Sequence, residues 1–120
     1  MKITRKGLVR KLDKAVSVFV IARDKYCVCC GTTQNLTAGH LFSRVAYSTR
    51  WDLTNVFAQC LSCNLRHEYD PYPLTNYYLL KFGKLAYDKL HFQYVHPVKF
   101  KTYQIQELLN ELEKIIIRED

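Results

Sequence analysis

The sequence has no run of about 18 consecutive apolar residues, the length that a helix needs to cross a bilayer. Its basic N-terminal stretch is not followed by an uninterrupted hydrophobic segment, so we expect no secretory signal peptide. Internal repeats, long linkers and low-complexity tracts are also lacking. These absences argue against the membrane, collagen-like and coiled-coil classes. At 120 residues the chain fits one domain. We expect it to be cytoplasmic (in the host cytoplasm if a phage encodes it), with no membrane partner.

The positive charge is unevenly distributed along the chain. The formal net charge is +7, and the basic excess is concentrated in residues 1–26 and 71–101. Residues 27–70 are neutral, and residues 102–120 are acidic. An excess of this kind indicates a polyanionic partner, although charges also solubilise helix faces.

The spacing of apolar residues predicts a mainly helical α+β protein. It predicts helices over 6–25, 60–68, 75–91 and 103–118 and a strand over 36–41 that belongs to a small hairpin. Pro71 and Pro73 are expected to end the second of these helices. The inward positions of the 75–91 helix are predicted to be Leu79, Phe82, Leu85, Ala86 and Leu90.

Four of the five cysteines form two Cys-x-x-Cys pairs, Cys27 with Cys30 and Cys60 with Cys63. Without a secretory signal, such pairs are better interpreted as metal ligands than as disulfides. Two of these turns complete a four-thiolate zinc site, which stabilises a small fold and performs no chemistry itself. Cys29 is predicted to lie outside the site. A redox role for the pairs is the alternative, but no thioredoxin-like βαβ pattern surrounds them.

Four polar residues lie between and after these pairs: His40, Asn55, Asn64 and His67. Phosphodiester hydrolysis requires a histidine that takes a proton from water and a divalent cation at the scissile phosphate. Each residue alone would more often be an ordinary hydrogen-bonded, turn or capping residue. Together, within a zinc-knuckle frame, they indicate a nuclease site.

The same segments resemble a known family. Arg23-Asp24, Cys27 to Gly31, Ala38-Gly39-His40, Arg50-Trp51-Asp52, Asn55 and Gln59 to Asn64 occur in an order similar to that of the phage NinG/Rap recombination nucleases. The segment also resembles the HNH endonucleases of the ββα-metal type, whose zinc-stabilised members carry the nuclease motif between two zinc knuckles. The resemblance covers roughly residues 8–90.

The resemblance implies a fold and roles for these residues. The expected architecture is a zinc-knuckle, treble-clef-like HNH ββα-metal core at 27–70, between a basic helix at 1–26 and helices at 71–120. His40 would be the general base, and Asn55 would position the catalytic loop. Asn64 would bind the catalytic Mg²⁺ or Mn²⁺, and His67 would contact that metal or the phosphate.

The sequence departs from many HNH enzymes immediately before His40. Gly39 stands where an aspartate or histidine often binds the metal, and it has no side chain to do so. Either Asp52, the nearest acidic candidate, supplies the ligand or His40 itself binds the ion.

Basic residues are the candidates for DNA contact. Arg44 and Arg50, near His40 in sequence, are expected to hold the phosphate at the cut. Nonspecific phosphate attraction is expected from both basic segments, at Arg10, Lys11, Lys14, Lys81 and Lys84. The apolar stripe of the last helix could form a homodimer, although packing on its own core is the simpler interpretation.

The resemblance implies a metal-dependent endonuclease that cuts branched recombination intermediates such as Holliday junctions, D-loops and flaps. The alternative is a noncatalytic, zinc-stabilised module that binds branched DNA or a recombination partner.

Overall fold

The computed structural model describes residues 3–119, with side chains described for residues 3–116. Six helices and two strands occur in this part of the chain. In chain order they are α1 (Arg5–Asp24), β1 (Leu36–His40), α2 (Tyr47–Arg50), β2 (Val56–Cys60), α3 (Leu61–His67), α4 (Tyr72–Phe82), α5 (Lys84–Val95) and α6 (Thr102–Glu119). The predicted α+β class, mainly helical with one small hairpin, is confirmed.

Helix α1 is defined at both ends by local chemistry. The Thr4 hydroxyl accepts a hydrogen bond from the backbone N–H of Gly7 at 3.0 Å, which caps an otherwise unpaired donor. The helix ends at Asp24, and the next residue, Lys25, has a left-handed φ of 70°. Its buried residues recur every three or four positions and face α6 across the larger core: Leu8, Leu12, Ala15, Val16 and Val20.

The β1–β2 hairpin lies between two hydrophobic clusters. The strands are antiparallel, with Leu36 opposite Cys60 and His40 opposite Val56. Because successive strand residues point to opposite faces, Val56 joins the cluster formed with α1 and α6. Phe57 joins the second cluster, formed with α4 and α5. Both faces of this short sheet are therefore covered.

Helix α3 follows β2 without an intervening loop. Cys60 is both the last residue of β2 and the N-cap of α3, where its sulfur accepts a hydrogen bond from the Cys63 N–H. Two strands and a helix thus succeed one another, with only α2 in the connection between the strands. This order positions the polar residues of the site.

The single helix predicted over 75–91 is wrong, because Gly83 separates α4 from α5. Its φ of 87° and ψ of 168° lie in a region that residues with a Cβ almost never adopt. The break changes the phase of the second helix, so Leu85, predicted to face inward, is 88% exposed. Pro71 and Pro73 lie at the N-cap and in the first turn of α4, while α3 has already ended at His67.

The helices predicted over 6–25 and 103–118 are confirmed within one residue at each end as α1 and α6. Their N-terminal ends lie together, since the Arg5 guanidinium donates to the Phe100 carbonyl and the Thr102 hydroxyl. No helix within the described residues has both the length and the apolar character that crossing a membrane demands.

Candidate functional site

Four cysteine sulfurs converge between the first knuckle and the start of α3. The Sγ atoms of Cys27, Cys30, Cys60 and Cys63 all lie within 4.8 Å of one another. The sulfurs of Cys30 and Cys60 are 3.7 Å apart. Zinc–sulfur bonds of about 2.3 Å in a tetrahedron separate neighbouring sulfurs by about 3.8 Å. The predicted ligand set is confirmed as a cluster that could bind one zinc ion.

Local backbone geometry forms the first knuckle. The Gly31 N–H donates to the Cys27 carbonyl at 2.8 Å, and Gly31 has a φ of 83°. A residue with a Cβ would be strained there, so the glycine allows the chain to turn back immediately after Cys30.

The pKa values of two thiols in the cluster are shifted in opposite directions. Against the effect of burial, backbone N–H groups of Cys60, Cys30 and Cys29 lower the pKa of Cys27 to about 7. Burial and the neighbouring sulfurs raise the pKa of Cys63. Several thiolates this close repel one another unless a cation lies between them.

Cys29 is not one of the four clustered cysteines. Its sulfur accepts a hydrogen bond from the Gln59 amide at 3.3 Å, and burial raises its pKa.

A cavity of about 590 Å³ adjoins α3 and the end of β1. The strand, the loop after it and the helix each contribute polar side chains to its lining: His40, Ser43, Arg44, Asn64, His67 and Glu68. Three of the predicted catalytic residues therefore share one space.

A backbone carbonyl fixes the His40 ring. Nε2 lies 2.9 Å from the Arg50 carbonyl oxygen, which can only accept, so Nε2 carries the hydrogen. In the neutral ring Nδ1 then has a free lone pair. Burial lowers the pKa of His40 below its usual value of 6.5, although the Arg50 carbonyl and Asp13 act in the opposite direction. The ring is therefore neutral near pH 7.

Asn64 and His67 lie one turn apart on the face of α3 that meets β1. The Asn64 amide donates to the Thr37 hydroxyl at 3.0 Å and to the Ala38 carbonyl at 3.4 Å, which directs Nδ2 toward the strand. His67 Nε2 lies 2.9 Å from the Leu41 carbonyl. The Asn64 Oδ1 accepts no hydrogen bond within the described part of the chain.

By the same carbonyl argument, Nε2 of His67 carries a hydrogen, and in the neutral ring Nδ1 is an acceptor. This Nδ1 is buried and has no hydrogen-bond partner among the described residues. Histidine metal ligands commonly have this arrangement, in which a backbone carbonyl accepts from one nitrogen and the other nitrogen binds the metal.

Asn55 is fully buried and bonds to the loop that follows His40. Its Oδ1 accepts from the Phe42 N–H at 2.9 Å, and its Nδ2 donates to the carbonyls of Phe42 and Thr49, each at 3.0 Å. The side chain therefore joins the loop that follows His40 to the end of α2.

Two predicted residues are not available at the cavity. Asp52 accepts hydrogen bonds from the Thr54 N–H and hydroxyl and lines a different cavity beside α4 and α5. The structure thus does not bring Asp52 to His40, because the turn over 52–54 uses its carboxylate locally. The Arg50 guanidinium is engaged by Asp13, at 3.0 and 2.6 Å, and only Arg44 of the predicted arginine pair lines the cavity.

The more distant basic residues are exposed. Arg10, Lys11 and Lys14 project from α1. Lys81 donates to the Tyr77 hydroxyl, and Lys84 pairs with Asp88 on the same helix. Their contact with DNA stays a prediction.

The sequence reasoning missed two acidic residues. Glu68, at the end of α3, lines the cavity, and its position directly after His67 was the available signal. Asp13 holds Arg50; the signal was an acid between Lys11 and Lys14 in an otherwise basic stretch.

Two of the motif elements have structural roles. Arg23 donates to the carbonyls of Leu53 and Val56, and Asp24 accepts from the Ala58 N–H, so the Arg-Asp pair fastens α1 to β2. A Cβ on Gly39 would overlap the side chain of Gln59. A larger residue before His40 would therefore force the buried Gln59 side chain on the neighbouring strand to move.

Comparison with known proteins identifies a family for this chain. No curated protein and no solved structure matches the chain significantly. The family model described as the bacteriophage lambda NinG protein matches residues 2–118. Because this match extends over nearly the whole sequence, and over the cysteine cluster and the cavity alike, the chain belongs to the bacteriophage lambda NinG family.

Proposed function

We propose that this protein is a metal-dependent DNA endonuclease that cuts branched recombination intermediates, such as Holliday junctions, D-loops or flaps. The observation that carries the proposal is the single cavity lined by His40, Asn64 and His67. Both imidazoles have Nε2 bound to a backbone carbonyl, which leaves Nδ1 as an acceptor. This arrangement supports a general base beside a metal site at one cavity.

His40 is the general base in this proposal. Its ring is neutral near pH 7 because burial lowers its pKa, so Nδ1 can take a proton from a water molecule as that water attacks phosphorus. The carbonyl of Arg50 would then stabilise the ring that has gained a proton, since Nε2–H donates to it. Asn55 supports this step indirectly by fixing the loop that follows His40.

The candidate ligands for a catalytic cation are Asn64 Oδ1, His67 Nδ1 and the Glu68 carboxylate. Oxygen ligands suit Mg²⁺, and an added imidazole nitrogen also suits Mn²⁺. Bound there, either cation would polarise the scissile phosphate and stabilise the leaving oxygen. Glu68 supplies an acid at this cavity, where Gly39 cannot, and it replaces Asp52 as the acidic candidate.

The charge distribution supports a nucleic-acid substrate. The exposed basic side chains of α1 and Arg44 at the cavity would attract DNA phosphates regardless of base sequence. No known sequence-reading motif is present. The proposed selection of branched DNA by shape rests on the resemblance to phage recombination proteins.

The test is cleavage of labelled junction and linear duplexes with Mg²⁺, Mn²⁺ or a chelator. We expect nicking of the junction with either cation and none with the chelator. His40→Ala should reduce the rate by about 10²–10⁴-fold, while junction affinity and the melting temperature stay near the original values. His96→Ala is the matched control, because His96 is exposed and bonds only within its own helix.

Two outcomes would contradict the proposal. Cleavage undiminished by His40→Ala would remove the assigned base. Tight binding of the junction without cleavage by any divalent cation, in protein that contains zinc, would support the noncatalytic module instead.

A further inference from the structure

Asp13 is the one acidic residue in the basic first half of α1, and its carboxylate faces α2. Oδ1 accepts from Arg50 Nε at 3.0 Å and from the Trp51 indole N–H at 2.8 Å. Oδ2 accepts from the second nitrogen of the Arg50 fork at 2.6 Å. One carboxylate thus receives three hydrogen bonds from two consecutive residues.

The carbonyl of the peptide group between Arg50 and Trp51 also holds the His40 ring in place. Arg50 is the last residue of α2, and its backbone carbonyl accepts the Nε2–H of His40 at 2.9 Å. The Arg50 guanidinium lies over the rings of Tyr47 and Trp51, and its side chain is only 15% exposed. The two residues that flank this carbonyl are therefore the two whose side chains Asp13 bonds.

We propose that Asp13 is a positioning residue for His40, acting through the Arg50 fork and the Trp51 indole to fix the carbonyl that orients the imidazole. This inference rests on the proposed endonuclease function for its effect on rate. The contacts on which it depends are independent of that function.

A bidentate carboxylate–guanidinium pair fixes direction as well as distance. Loss of the carboxylate would leave the Arg50 fork and the Trp51 N–H without their acceptor, and the end of α2 would shift or become mobile. Misplacement of a base by about 1 Å can cost about 10²-fold in rate. DNA affinity would not fall, because Asp13 does not line the cavity and its replacement removes a negative charge from the basic first half of α1.

The test combines kinetics with spectroscopy of the histidine ring. Asp13→Asn preserves the shape but removes the charge, and Asp13→Glu restores the charge. Asp24→Asn is the matched control, since Asp24 is the other acid of α1 and bonds Arg23 and Ala58 rather than the α2 segment. Long-range ¹H–¹⁵N spectra assign the His40 tautomer and its Nε2–H, with a His40→Gln sample to identify the signals.

For Asp13→Asn we expect a kcat about 10- to 100-fold lower, with KM for the junction within about twofold. The Nε2–H signal of His40 should shift and exchange faster with solvent. Asp13→Glu should recover part of both effects. Asp24→Asn should lower the melting temperature without changing the His40 spectrum.

An Asp13→Asn protein that is folded and has an unchanged His40 spectrum would overturn the proposal. If Asp13→Asn fails to fold, Arg50→Lys tests the same link, because it keeps the charge but removes the fork; an unchanged spectrum there would also overturn it. If the unaltered protein cuts no DNA, the endonuclease proposal fails, and the ring spectrum still decides whether Asp13 positions His40.

Discussion

At the residue scale, Asn55 shows how a polar side chain can be completely buried. Each polar atom of its amide has a backbone partner, and these partners belong to two separate parts of the chain, Phe42 and Thr49. An amide is suited to this position because it both donates and accepts, whereas a carboxylate only accepts when it is ionised.

We expect Asn55→Ala to lower the free energy of unfolding by about 2–4 kcal/mol, because it leaves one buried and two partly buried backbone groups without their partner. Urea denaturation monitored by tryptophan fluorescence measures the change. The control is Asn110→Ala on α6, where the side chain is exposed and the expected change is within about 0.5 kcal/mol. Equal effects of the two substitutions would show that the Asn55 hydrogen bonds contribute little.

Sequence reasoning identified the residues of the cavity better than it identified their partners. His40, Asn64 and His67 lie in a recognisable motif, and the hairpin and α3 bring them together. The engagement of Arg50 by Asp13 spans 37 residues, and no local spacing predicts a contact of that range. Asp52 was chosen as the nearest acid in sequence, but its carboxylate is used by its own turn.

At the scale of elements, the break between α4 and α5 was the main error in the predicted secondary structure. Apolar residues continue at helical spacing through 75–91, and spacing alone does not indicate a change of helix direction. Gly83, in the middle of this pattern, was the residue that could have indicated the break. The break lets both α4 and α5 contribute to the second core, through Leu74, Tyr78 and Leu90.

Gly83→Ala should destabilise the protein by about 1–3 kcal/mol, since its backbone conformation is nearly exclusive to glycine. Thermal unfolding measures the change. Nothing lies within 4 Å of the added Cβ, so the effect would be one of backbone strain rather than overlap. Lys84→Ala, at the exposed neighbouring position, is the control and should change stability by less than about 0.5 kcal/mol. A neutral Gly83→Ala would mean that the α4–α5 junction adopts another conformation.

At the scale of the whole molecule, two small hydrophobic clusters lie on opposite sides of the hairpin. Neither is large, and the cysteine cluster joins the segment after α1 to the start of α3. A metal at that position would connect the segment after α1 to the start of α3. The cysteine spacing predicted this junction, because four ligands for one ion must converge wherever they lie in the sequence.

Cys60→Ser should abolish the binding of one zinc ion per chain and lower the melting temperature by more than about 10 °C, because metal binding at such sites contributes directly to folding. Metal analysis and calorimetry measure both effects. Cys29→Ser is the control, because Cys29 lies outside the cluster. This variant should retain one zinc ion and a melting temperature close to that of the original protein. Retention of one zinc ion by the Cys60→Ser protein would refute the four-thiolate assignment.

Helix α3 has only seven residues, with Cys63 in its first turn and His67 at its last position. Asn64 follows Cys63 directly, so one helix of two turns carries residues of both the cysteine cluster and the cavity. In a helix this short, a displacement at one end also moves the residues at the other end. Loss of metal from the sulfurs would therefore displace the Asn64 amide and the His67 imidazole. The cavity would lose its geometry before the outer helices unfolded.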